Sequence, residues 1–277
     1  MRSYTYNPRR LLSPLAFSIS LALLPSAQTL LGMEGCGMMI ASRNGMVVSG
    51  GGGAWTNPYV TDGLIGLWDG EWNVAGGQHD STATTWADIS GNSRDAVLSG
   101  TYSWGSNYWH VESVSGRGLA TWPAQNLGDN QTIEFVIDPS ATSVFGRIIA
   151  EAGYVTSPIV LNNTSYLYMY GYGLDKGAEI GGIIPGFNNT HKHLHQIVHP
   201  SGGPMYYYID GVLAWTNTTT SDSTGTTSGY FANRSDYTRG IDADYFTMRR
   251  YNRALTDNEL AANRAVDAAR FGLTVSA

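Results

Sequence analysis

The chain predicts an all-β protein: two packed antiparallel sheets closed by one short C-terminal helix. Three observations carry this. Its 277 residues include 34 Gly, 17 Tyr and 8 Trp but only 14% charged side chains, a mixture of turn formers and aromatics that suits many short strands. In Met205-Tyr206-Tyr207-Tyr208-Ile209-Asp210-Gly211-Val212-Leu213-Ala214-Trp215, two apolar-aromatic runs flank Asp210-Gly211. That dipeptide is a two-residue hairpin turn, because both residues tolerate positive φ. Finally, strand-forming residues stop at Tyr251, and Thr256 and Glu259 have capping-box spacing ahead of an alanine-rich stretch to about Arg270, with Gly272 placed to end it.

The first 53 residues read as a leader and linker. Arg2, Arg9 and Arg10 precede an apolar run from Leu11 to Leu24 and then Pro25-Ser26-Ala27, the layout of a secretory signal peptide over 1–27. The run is too short for a membrane span. The other reading is an anchor into a larger assembly. Cys36 is the single cysteine, so an intrachain disulfide framework is excluded. Ser49-Gly50-Gly51-Gly52-Gly53 reads as a flexible linker, leaving 54–277 as the folded domain.

Within that domain, Gly63–Trp68 is the opening strand, and a polar, glycine-containing excursion runs from Asp69 to Ser81. Asp95-Ala96-Val97-Leu98 starts the next strand. Strand-like runs follow at Thr132–Ile137, Gly146–Glu151, Tyr166–Tyr170, Glu179–Ile184 and His193–His199. No fixed-period repeat is present, which argues against a propeller or solenoid.

Two separated stretches resemble one superfamily. The first is "G-L-x-G-L-W-D" at Gly63 followed by "T-T-W-x-D-x-S-G-N-x-x-D-A" at Thr84. The second is "R-x-Y-N-R-A-L-T-D-x-E-L-x-x-N" from Arg249 to Asn263. Both are similar to the laminin-G-like, concanavalin A-like lectin/glucanase domains of bacterial and phage surface proteins. The resemblance implies a jelly-roll β-sandwich and a carbohydrate or other surface ligand.

Glycosidases on this fold commonly carry their paired carboxylates as E-x-D-x-x-E on one strand. The chain has Glu only at 34, 71, 112, 134, 151, 179 and 259, none in that spacing. Glu134 reads as a solvent-facing strand residue. His191, His193 and His195 alternate on a strand and could converge on a metal; packing of that strand is the blander account. Calcium is the cofactor that the resemblance offers, with Asp69, Asp80, Asp88, Asp236, Asp242 and Asp244 as candidate ligands, although Asp88 also suits a turn role, accepting backbone N–H bonds.

Two segments are dense in groups that stack on sugars and bind their hydroxyls. One contains Trp104, Tyr108 and Trp109; the other Asn233, Asp236 and Tyr237. Large aromatics on a sandwich also build cores, so both roles stand open. The formal charge of −6 with no dense Lys/Arg run argues against a nucleic-acid partner. The expected function is a binding module without enzymatic activity, extracellular or at the cell surface, for a glycan or cell-surface ligand. The alternatives are a phage virion attachment protein and a divergent glycoside hydrolase.

Overall fold

The computed structural model describes residues 56–112, 118–126, 130–139, 146–151, 159–162, 166–171, 174–179, 191–217, 226–233 and 240–276. The leader and linker read over 1–53 lie outside them. In chain order the strands are β1 (Leu64–Asp69), β2 (Thr85–Trp86), β3 (Ala96–Ser99), β4 (Thr101–Trp104), β5 (Trp109–Glu112), β6 (Leu119–Asn126), β7 (Gln131–Pro139) and β8 (Gly146–Glu151). There follow β9 (Ile159–Asn162), β10 (Tyr166–Gly171), β11 (Leu174–Glu179), β12 (His193–His199), β13 (Met205–Ile209), β14 (Val212–Asn217), β15 (Thr226–Phe231) and β16 (Ala243–Tyr251). One helix, α1 (Asp257–Phe271), ends the order.

The strands make two eight-stranded antiparallel sheets. The first runs β14-β13-β12-β7-β16-β5-β4, with β1 also on β16; the second runs β11-β10-β9-β8-β15-β6-β3-β2. Strand β16 organises the first sheet. One edge pairs with β7, while the other pairs with β5 over Ala243–Tyr245 and with β1 over Thr247–Tyr251. A register shift between Tyr245 and Thr247 inserts an extra residue. That insertion breaks the two-residue alternation, so Tyr245 and Met248 both point into the inter-sheet core while Phe246 turns out against Phe271.

The inter-sheet core is aromatic. Trp68, Trp86, Trp109 and Trp122 are buried around Phe231, whose ring lies 4.4 Å from Trp122, 5.5 Å from Trp68 and 5.6 Å from Trp86. Gly229 permits this approach, since a Cβ there would stand 1.6 Å from the Trp122 ring.

The helix covers the other face of the first sheet, and the two sequence signals at its ends operate as expected. Thr256 is the N-cap, with the Glu259 amide on its hydroxyl and the Glu259 carboxylate on its backbone N–H; Gly272 closes the helix in the left-handed region. Arg253, hydrogen-bonded to Glu259, pulls that carboxyl down to about 2. Thr256→Ala is expected to cost about 1 kcal/mol, read as a lowered denaturation midpoint; an unmoved midpoint would refute the cap's contribution. The hairpin also forms as expected, with Asp210 at φ 49° and Gly211 at φ 82°.

Two strand expectations need correction. The run placed at Glu179–Ile184 is a strand only up to Glu179: β11 starts five residues earlier, at Leu174, and 180–184 lie outside the described residues. Glu134 does not face solvent. It is 0% exposed beneath α1, bonded to Arg249 (3.1 Å), Gln196 (2.6 Å) and Asn263 (2.6 Å). Strand alternation does put Glu134 opposite the core-facing Ile133 and Phe135. What covers that second face is a helix more than a hundred residues away in sequence.

Candidate functional site

The alternation of β13 sends Met205, Tyr207 and Ile209 into the inter-sheet core and leaves Tyr206 and Tyr208 half-buried on the opposite face. The first turn of α1 stands across from them. Between lies a cleft of about 540 Å³ lined by Val198, Pro200, Tyr206, Tyr208, Ala254, Leu255, Thr256, Asp257 and Leu260. Its floor is apolar, with Val198, Leu255 and Leu260 buried in the cluster under the helix. Its wall is fixed by the capping box and by the Leu255 amide donating to the Thr132 hydroxyl (2.9 Å). Burial raises the Tyr208 phenol above its usual range, and the Asp257 and Tyr206 charges add to this against Arg264. The cleft therefore presents two phenol rings, their polar tips and one carboxylate.

A second cluster occupies the same sheet face beyond the other end of α1. With about 1.5 Å of rise per residue, a helix of 15 residues separates the two by roughly 22 Å. His110 on β5 pairs with Asp244 on β16, and Asp244 pairs in turn with Asp138 on β7. His110 Nδ1 stands 2.6 Å from Asp244 Oδ1, and these side chains are 30% and 26% exposed. Burial raises the Asp138 carboxyl, Asp244 adds to the shift, and Lys192, His191 and His193 oppose it. Lys192 donates to the Phe271 carbonyl (3.2 Å) and sits over the Phe246 ring, against which Tyr108 packs. This row offers a carboxylate-imidazole pair beside a carboxyl that holds its proton more tightly than usual.

The residues expected to form sugar platforms are dispersed. Trp109 is a correction: at 0% exposed it packs against Trp86 and Tyr245 in the core, so its ring is closed to a ligand. Asn233 is likewise 0% exposed and is corrected in the same way. Trp104 is half-buried against the core, edge-on to Trp86, its Nε1 donating to the Ala83 carbonyl (2.9 Å). Tyr108 is half-buried beside the ionic row. Asp236 and Tyr237 lie outside the described residues. The tyrosines of the cleft were missed because the run Tyr206-Tyr207-Tyr208 reads as one hairpin strand; its period of two was the available signal.

The metal expectations do not match the side chains. His193 Nδ1 lies 2.6 Å from Asp210 Oδ2, while His195 bonds the Tyr207 hydroxyl and stacks on Phe135. Burial, with His193 adding to it, holds the His195 imidazole well below its usual value, hence neutral. Among the calcium candidates, Asp69 is clamped by Arg270 (2.7 and 2.9 Å), and Asp80 accepts from Thr82. Asp88 accepts the Leu67, Ser90 and Arg94 amides, the turn role expected of it. Among the described residues no three His, Cys, Asp or Glu side chains are placed to hold a metal ion, and Asp236 lies outside the described residues. No described helix is long and apolar enough to cross a membrane.

No protein family matches the chain, and no curated protein does. Solved structures do. The receptor-binding domain of a botulinum neurotoxin C/D mosaic serotype aligns at TM-score 0.58 and 15% identity over 76% of this chain and 53% of its own. The ligand-binding domain of botulinum neurotoxin serotype D, solved with N-acetylneuraminic acid, aligns at TM-score 0.58 and 13% identity, covering 76% and 52%. A Trypanosoma rangeli sialidase, trapped as a covalent intermediate with 2,3-difluorosialic acid, aligns at TM-score 0.55 and 15% identity, covering 73% and 33%. The chain thus spans about half of the toxin domains and a third of the sialidase. The likeness shows the fold: an all-β sandwich.

The sialidases also correct the expectation of a protein without enzymatic activity. The matched chains include enzymes, each aligned over a third of its length, so a missing E-x-D-x-x-E run excludes one arrangement of carboxylates and not catalysis. Most glycoside hydrolases use two carboxyls close in space, and the Asp138–Asp244 pair is formed across strands, where no sequence spacing displays it.

Proposed function

We propose that this chain binds carbohydrate in the cleft between β13 and the start of α1. The observation that carries the reading is the pair Tyr206 and Tyr208, side by side on one strand face and opposed by the polar first turn of the helix. Sugar rings present apolar C–H faces to aromatic rings and hydroxyls to the polar groups around them, and a concave site with a few placed polar atoms suits that. The sugar ligand named for the serotype D toxin domain supports the same class. The reading extends to a laminin-G-like, concanavalin A-like domain acting outside the cell or at its surface behind the leader 1–27. Tyr208→Ala is expected to weaken retention on a glycan array by about threefold to tenfold, the worth of one aromatic contact. Retention unchanged in both Tyr206→Ala and Tyr208→Ala would end the reading.

One observation favours a second reading, glycoside hydrolysis at the ionic row. Directly opposed cross-strand side chains begin about 4.5–5.5 Å apart at Cβ, a range in which two carboxyls can flank one glycosidic bond. Asp138, with its proton held up, would give that proton to the leaving oxygen while Asp244 attacks the anomeric carbon to form a glycosyl-enzyme, which water then cleaves as Asp138 takes the water's proton. Asp138→Asn is then expected to lower reducing-sugar release by about a hundredfold or more. Absence of any release by the unaltered protein across the same glycans would dismiss this reading.

A further inference from the structure

We propose that the tyrosine cleft selects neutral sugars and discriminates against acidic ones, an inference that rests on the carbohydrate reading of that cleft. Its nine lining residues include one ionisable carboxylate, Asp257, and no Lys, Arg or His. Arg253, just before α1, and Arg264, within it, are both hydrogen-bonded inside the fold. Arg253 places both terminal nitrogens on Glu259 (2.8 and 2.6 Å) and its Nε on Asp62 (2.9 Å). Arg264 is buried and donates to the neutral Gln196 amide oxygen (3.0 Å); its charge reaches Tyr208, where Asp257 opposes it.

A helix start ordinarily favours anions, but this one is occupied. The Glu259 carboxylate takes the Thr256 amide (2.9 Å), the Thr256 hydroxyl takes the Glu259 amide, and Asp257 and Glu259 put two acidic groups in the first turn. A sugar carboxylate entering the cleft would find no forked cation to bind it and would sit beside Asp257. A neutral pyranose meets no such cost: its apolar face has Tyr206 and Tyr208, and its hydroxyls can donate to Asp257. Burial and the Asp257 charge both keep the Tyr208 phenol protonated, so it remains a hydrogen-bond donor and not a second anion.

The test uses the full chain on an array that carries neutral glycans and the same glycans capped with sialic acid, at low salt. The capped member of each bound pair is expected to be retained about fivefold or more weakly, from one like-charge contact near 4 Å. Asp257→Asn is expected to narrow that ratio. Capped glycans held as tightly as uncapped ones, with both lost in Tyr208→Ala, would keep the cleft as a sugar site and overturn the selectivity. A ratio unmoved by Asp257→Asn would also overturn it. Retention of either series that survives Tyr206→Ala and Tyr208→Ala, or no retention at all, would sink the carbohydrate reading and the selectivity with it.

Discussion

Arg249→Ala is expected to cost about 3–5 kcal/mol of folding stability, roughly a fifth or more of a typical domain's total. Arg249 is 0% exposed and joins three parts of the molecule. Its guanidinium bonds Glu134 on β7 and forks onto both carboxylate oxygens of Asp267 on α1, while the Tyr59 ring lies 3.9 Å over it. Burial opposes its charge, but Asp267 and Glu134 outweigh that and hold it firmly protonated. Removing it would strand two carboxylates under the helix with no cation to pair them. Urea denaturation measures the loss. A shift smaller than about 1 kcal/mol, the scale of an exposed ion pair, would mean that water reaches the network. Arg249→Met combined with Glu134→Leu and Asp267→Leu should recover part of the loss, since what costs most is the uncompensated charge.

Trp109→Ala is expected to cost about 3–5 kcal/mol, as truncation of a large buried aromatic does. The indole lies 5.5 Å from Trp86 and 5.4 Å from Tyr245, on the inner face of β5, and nothing of it reaches solvent. The cavity would open beneath the tryptophan cluster, where β16 is already committed to three partner strands. Thermal melting reads this effect, and glycan retention measured below the lowered transition should match the unaltered protein. Retention lost with melting unchanged would return Trp109 to a ligand platform.

The elements legible in the chain are those whose cause is local. The Thr256/Glu259 box and Gly272 are steric and hydrogen-bonding devices complete within a few residues, and Asp210-Gly211 supplies its own turn. Strands β7, β8, β10, β12 and β13 likewise announce themselves by composition. Strand β11 is hard to place from sequence because Leu174-Asp175-Lys176-Gly177-Ala178-Glu179 is poor in strand formers; its pairing with β10 makes it a strand. The candidate sites were less legible still. Tyr206 and Tyr208 alternate with Tyr207, and the three are indistinguishable until one knows which face of the sheet meets the tryptophans.

The all-β class, the cap, the hairpin and the alternation of the strands named above can be read along the chain, because they depend on composition, on backbone sterics and on neighbours within a few positions. Folding in three dimensions settles which aromatics are core and which line a cleft, places Glu134 beneath a helix, and brings Asp138, Asp244 and His110 onto adjacent strands. The physical reason is that a strand has two equivalent faces. Its own residues specify the alternation, but which face is covered, and by what, is set by elements a hundred or more residues distant.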